Sequence, residues 1–184
     1  MRRRTFDSLM SIAGLLLAAV LIVAGGLLIW GHNYITDEVH DQLAAQKIFF
    51  PPADSPAVAG PDFKEMRRYG GEQLLTGAQA RVYADDFIAA HLKESGGGLT
   101  YAELSAKSNA NPDDEALAAK VQTQFRGETL RGLLLNAYAF GTMGKIAGIA
   151  AIAAFIGGGL MLILSALGLY HSRKTPPEQE ILVD

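Results

Sequence analysis

Two stretches of this chain, residues 8–36 and residues 146–172, contain no Asp, Glu, Lys or Arg. The apolar run in the first is SIAGLLLAAVLIVAGGLLIW, residues 11–30. Twenty helical residues rise roughly 30 Å, the thickness of a bilayer's hydrocarbon core. The run holds eleven Leu, Ile or Val residues. At about −0.5 kcal/mol each near the bilayer centre, they favour insertion by roughly 5 kcal/mol. The second run, residues 146–170, is IAGIAAIAAFIGGGLMLILSALGLY, long enough to span with some tilt. Trp30 and Tyr34 fall where an interfacial aromatic belt belongs.

A cleaved signal peptide would have a shorter apolar region ending in small residues, whereas this run ends in Leu-Leu-Ile-Trp. Arg3-Arg4-Thr5-Phe6 faintly resembles a twin-arginine export signal. The simpler reading is an uncleaved anchor held by its positive charge. Arg2, Arg3 and Arg4 precede the first span, and no Lys or Arg follows until Lys47. The positive-inside rule therefore predicts a cytoplasmic N-terminus, and two spans return the C-terminus to the same side. The expected location is a plasma membrane, with both termini cytoplasmic. The expected organisation is a cytoplasmic N-terminus (residues 1–10), transmembrane helix 1 (11–30), an extracytoplasmic helical domain (31–145), transmembrane helix 2 (146–170) and a disordered cytoplasmic tail (171–184).

Between the spans the pattern stays helical. Ile35, Val39 and Leu43 recur every fourth residue, and with Phe50 they extend the first helix to about residue 49, before Pro51-Pro52. PPADSPAVAGPDF reads as a loop, followed by a short helix at residues 63–69. Thr76-Gly-Ala-Gln79 and Thr100-Tyr-Ala-Glu103 are capping boxes, opening helices to about Lys93 and Ser108. Asn111-Pro112-Asp113-Asp114 is a further start signal, with Asn111 as cap and Pro112 in the first helical position. From there a helical pattern continues into the second span, with kinks expected at Gly127, Gly132, Gly141 and Gly144. No period-2 strand pattern occurs. The fold class is thus all-α: two transmembrane helices forming an extended helical hairpin, with residues 35–49 packed on 122–141, capped by a small helical domain.

Chemistry is harder to find. The chain has no cysteine, which excludes disulfides, thiolate metal sites and thiol catalysis. Residues 31–145 carry 11 Lys/Arg against 15 Asp/Glu, a net of −4, which gives nucleic acid no basic patch. Phosphate-loop, nucleophile-elbow and zinc-protease motifs are absent, and neither span carries the intramembrane charge of a proton relay. No cofactor is expected. The best metal-like cluster is Asp37, His40 and Asp41, which helical spacing puts on one face; a solvated charged face explains them equally. Asp85, Asp86 and His91 align less well.

Small residues give the clearest positive signal. Gly144 and Gly148 form a GxxxG, Ala147 and Ala151 follow at the same spacing, and Gly14 and Ala18 repeat it in the first span. Such faces allow close backbone approach in lipid, between the two spans or onto another membrane protein or a second copy. The expected function is a non-catalytic accessory or scaffold protein that binds another membrane or envelope component. The alternative is an envelope metal-binding sensor or enzyme using the Asp37, His40 and Asp41 face.

EVHDQLAAQKIFFPP after the first span, YGGEQLLTGAQARVYADDFIAAHL, and FRGETLRGLLLNAYAFGTMGKIAGIAAIAAF leading into the second together resemble a family of small two-span membrane proteins of actinobacteria. Some of its members carry the label of an aromatic ring-opening dioxygenase (LigA). An iron site of that kind needs a buried His/carboxylate arrangement. Here the four histidines are scattered, with His32 and His171 expected on opposite sides of the membrane. The resemblance implies a bacterial plasma membrane and attaches no chemistry to the motifs.

Overall fold

The computed structural model describes residues 3–176. Among these residues the chain is helical, with no strand and a single isolated bridge between Phe49 and Gln73. Two helices dominate: α1, Arg3–Gln46, and α6, Glu115–Lys174. Each contains a window long and apolar enough to cross a membrane. Between them lie 3₁₀ turns at Pro56–Val58 and Pro61–Phe63, then α2 (Lys64–Arg68) and α3 (Gly77–Val82). A π-helical turn at Tyr83–Ile88, α4 (Ala89–Ser95) and α5 (Tyr101–Ala110) complete the series.

Helix ends depart from the sequence expectation in instructive ways. α1 stops at Gln46 rather than near residue 49, because Lys47 adopts a left-handed conformation (φ +52°) of the kind that ends helices. The chain then turns extended: the Phe50 amide donates to Glu72 O and the Leu74 amide to Ile48 O, each at 2.9 Å. Phe50 is therefore a core residue off the helix. Both capping boxes form, with the Thr76 and Thr100 hydroxyls accepting the amides of Gln79 and Glu103. Asn111, expected to open the last helix, instead closes α5, its side chain donating to Lys107 O at 2.9 Å. Asp114 caps α6, its carboxylate accepting the Leu117 amide at 2.9 Å, where the helix dipole favours negative charge. α6 then runs through all four expected kink glycines to Lys174, so the first residues of the expected tail are helical. The remainder of that tail, from Pro177, lies outside the described residues, as does Arg2.

The chain divides into two compact units. The first comprises residues 1–33 and 144–184. Here the α1 and α6 segments pack through small residues. A Cβ on Gly14 would lie 2.3 Å from Ser165 Oγ, and one on Gly168 the same distance from Ser11 Oγ. Gly158 faces Ile22 and Gly25 faces Phe155, while Ala18 and Ala151 are fully buried. Large apolar side chains point outward: Leu16, Val20, Leu27 and Ile149 are each over 60% exposed.

The second unit, residues 34–143, has a conventional core. Leu43, Phe50, Val58, Met66, Leu74 and Leu134 are buried together, with the Ala80, Ala84, Ile88, Leu92 stripe against them. That stripe repeats every four residues, more than the 3.6 of an α-helix. The π turn, which accommodates extra residues per turn, keeps it facing the core. Two glycines expected to kink α6 serve packing instead. A Cβ on Gly77 would lie 2.8 Å from Ala137 O and 3.4 Å from Gly141 Cα, so α3 meets the α6 backbone directly. Leu92 lies on Gly127, where a Cβ would be 2.3 Å away.

Candidate functional site

A groove of about 650 Å³ in the second unit lies between the π turn with α4 and one face of α6. One wall is an aromatic ladder. Tyr83 and Phe87 have centroids 5.0 Å apart, and Phe87 and His91 4.3 Å apart. His91 Nδ1 lies 2.7 Å from Phe87 O, which fixes the imidazole over that ring. The opposite wall comes from Thr123, Gly127 and Leu130, and Glu94 and Ser95 stand at the rim. Burial raises the Tyr83 phenol above its ordinary value, so it remains a neutral hydrogen-bonding group across the physiological range.

Buried and partly exposed polar contacts hold this groove in shape. Gln124, 2% exposed, donates through Nε2 to Leu92 O and reaches Ser95 Oγ at 3.3 Å. Gly96 leaves room for that amide, since a Cβ there would lie 2.6 Å from it. Asp85, on the π turn, takes Arg131 Nη2 at 3.0 Å and lies 3.8 Å from Arg81 Nε, tying the turn to α6. These contacts raise the Arg131 guanidinium further above its ordinary value, first through the Asp85 hydrogen bond. A smaller pocket of about 360 Å³ adjoins this ion pair, lined by Glu65, Tyr69, Arg81, Asp86 and Tyr138. Partial burial raises the Asp86 carboxyl, with Asp85 and Glu65 adding to the effect and Arg81 opposing it. Size and lining make the first groove suited to receiving apolar or aromatic side chains rather than to proton transfer.

The residues singled out from the sequence fall as follows. His40 Nδ1 lies 3.1 Å from Asp41 Oδ1, with both side chains exposed, and Asp37 does not join them. Among the described residues no three His, Cys, Asp or Glu side chains form a group able to hold a metal ion. Asp85 is committed to arginines and His91 to Phe87 O, so that second cluster is not assembled either. Gly144, Gly148, Ala151, Gly14 and Ala18 all lie in the first unit. His32 Nδ1 sits 2.8 Å from Gly144 O, its ring against Gly148, so the GxxxG receives a histidine from α1. Sequence reasoning missed the groove itself. The signal was present as Tyr83, Phe87 and His91 at four-residue spacing, but the opposite wall comes from forty residues later.

No protein-family model, curated protein or solved structure matches this chain.

Proposed function

We propose that this chain is a two-span protein of a bacterial plasma membrane, both termini cytoplasmic, whose central helical unit is a non-catalytic binding module. Its groove receives apolar or aromatic side chains of another membrane or envelope protein. The observation that carries this reading is the groove of about 650 Å³ walled by Tyr83, Phe87 and His91, its shape fixed by Gln124 and the Asp85–Arg131 pair. Aromatic walls over a preformed concavity are the usual anatomy of a binding hot spot. The π turn that carries two of the aromatic rings is a feature concentrated at functional sites.

The membrane part draws on the outward apolar surface of both long helices. Only 11% and 17% of their most apolar windows are buried, and water around so much exposed Leu, Ile and Val would be strongly unfavourable. Since Gly14, Ala18, Gly148 and Ala151 are engaged within the first unit, partner binding is assigned chiefly to the central unit.

A photo-crosslinking residue placed at Leu130 in the native membrane tests the reading. The expected result is one discrete adduct with a second protein, lost when Thr123→Trp fills the groove. Equal crosslinking with and without that substitution would overturn it.

A further inference from the structure

We propose that the end of the long helices bearing Asp7 and His171 is a binding site for a phospholipid with an ammonium headgroup, an ethanolamine lipid. This rests on the membrane-spanning reading and adds a ligand to it. A cleft of about 600 Å³ opens there between the two helices. Its register follows from Ser8 beside Ser172, Ser11 on Gly168 and Ser165 on Gly14. Asp7, Ser11 and His171 therefore line the terminal end, and Leu17, Met161 and Leu164 the inner one. A polar end joined to an apolar wall matches a headgroup joined to an acyl chain.

The deciding feature is Asp7. Its Oδ2 is buried and, among the described residues, accepts no hydrogen bond. Neighbouring hydroxyls cannot supply one, because their protons are used elsewhere. Ser11 donates to the Asp7 backbone carbonyl at 2.7 Å, Ser8 to Ser172 Oγ at 3.3 Å, and Ser172 to Leu169 O at 3.0 Å. A buried carboxylate oxygen without a donor is unfavourable, and rotation of the Asp7 side chain into the cleft it lines lets an ammonium from the bilayer satisfy both its charge and its hydrogen-bonding capacity. The headgroup phosphate then falls near cations: Arg3, Arg4, Arg173 and Lys174 lie within about a turn of the cleft-lining Asp7 and His171 along the two helices.

The test uses the full chain, reconstituted from vesicles of equal phosphatidylethanolamine and phosphatidylglycerol, with retained lipid counted by native mass spectrometry. The chain is expected to retain the ethanolamine lipid preferentially. Asp7→Asn, which preserves side-chain size, should lower that retention about tenfold, as expected for one charge-assisted hydrogen bond, and leave the glycerol lipid unchanged. Ala13→Trp, on the apolar wall, should reduce retention of both. Equal retention of the two lipids, or retention indifferent to either substitution, would overturn the site. Carbonate extraction of the same samples separates the two claims. Protein that stays in the membrane pellet while losing the preference refutes the lipid site alone, whereas protein released into the supernatant refutes the spanning reading beneath it.

Discussion

In the unit formed by residues 1–33 and 144–184, the buried positions are small: Ala18, Ala151, Ser11, Ser165, and the glycines Gly25 and Gly148, which meet a phenylalanine and a histidine. In residues 34–143 they are large: Phe50, Met66, Leu74 and Leu134. The outer surfaces are reversed, with leucine, isoleucine and valine outside the first unit and charge distributed over the second. A chain in water is held together mainly by removing apolar surface from water. Inside lipid that gain disappears, and close packing and hydrogen bonds must hold helices together. The difference in what is buried is the one expected if, as proposed, the first unit sits in lipid and the second in water. It also assigns different jobs to glycine: intimate contact between helices in the first unit, and, at Gly77 and Gly127, the seating of helices on α6 in the second.

The largest expected effect is in the central core. Phe50→Ala removes a ring packed 5.2 Å from Tyr69 and 5.4 Å from Tyr83, and should cost about 3–5 kcal/mol in chemical unfolding followed by tyrosine fluorescence. Next comes Gly77→Val, which drives a side chain into the α6 backbone and should cost about 1–3 kcal/mol. Gly132→Ala, where nothing lies within 4 Å, should instead raise stability by up to about 1 kcal/mol through helix propensity. If both glycine substitutions behaved alike, the packing role of Gly77 would be wrong. Ser165→Ala in the first unit should cost under about 1 kcal/mol in bicelle unfolding, as polar contacts between membrane helices generally do.

The smallest effect depends on pH. Burial, with Asp85 and Glu65 nearby, raises the Asp86 carboxyl, so its ionisation opposes folding. That penalty is absent below the ordinary aspartate range, grows as pH rises through the raised value and is complete above it. Asp86→Asn should therefore stabilise the unit at neutral pH, by less than about 1 kcal/mol after solvent screening, and lose its advantage in acid. A thermal unfolding series across pH reads the crossover.

What was legible in the sequence was local. Charge-free runs and both capping boxes depend on neighbours within a turn or two, and they gave two long apolar helices and two capped helix starts, while the proline-rich stretch read as a loop carries two 3₁₀ turns. What escaped depends on contacts distant in sequence. α1 ends at Gln46, with Lys47 left-handed, and Phe49 and Phe50 then meet Gln73 and Glu72. Asn111 was misread because Asn suits either helix terminus, and only the competition with Asp114 decides which one it caps. Gly127 and Gly141 looked like weak points because the side chain and helix that cover them belong to residues 92 and 77. The groove combines both cases: its aromatic spacing is local, and its shape, set by Gln124 and Arg131, is not.

The most direct test exploits the absence of cysteine, which lets single introduced thiols report without background. Asp113→Cys, Val23→Cys, Ile152→Cys and Thr5→Cys would each be exposed to a membrane-impermeant maleimide on intact cells, then again after permeabilisation. The account predicts labelling of Asp113→Cys from outside, of Thr5→Cys only after permeabilisation, and of neither Val23→Cys nor Ile152→Cys in either case. Ready labelling at positions 23 and 152 would mean that water surrounds the long apolar helices, and would contradict it.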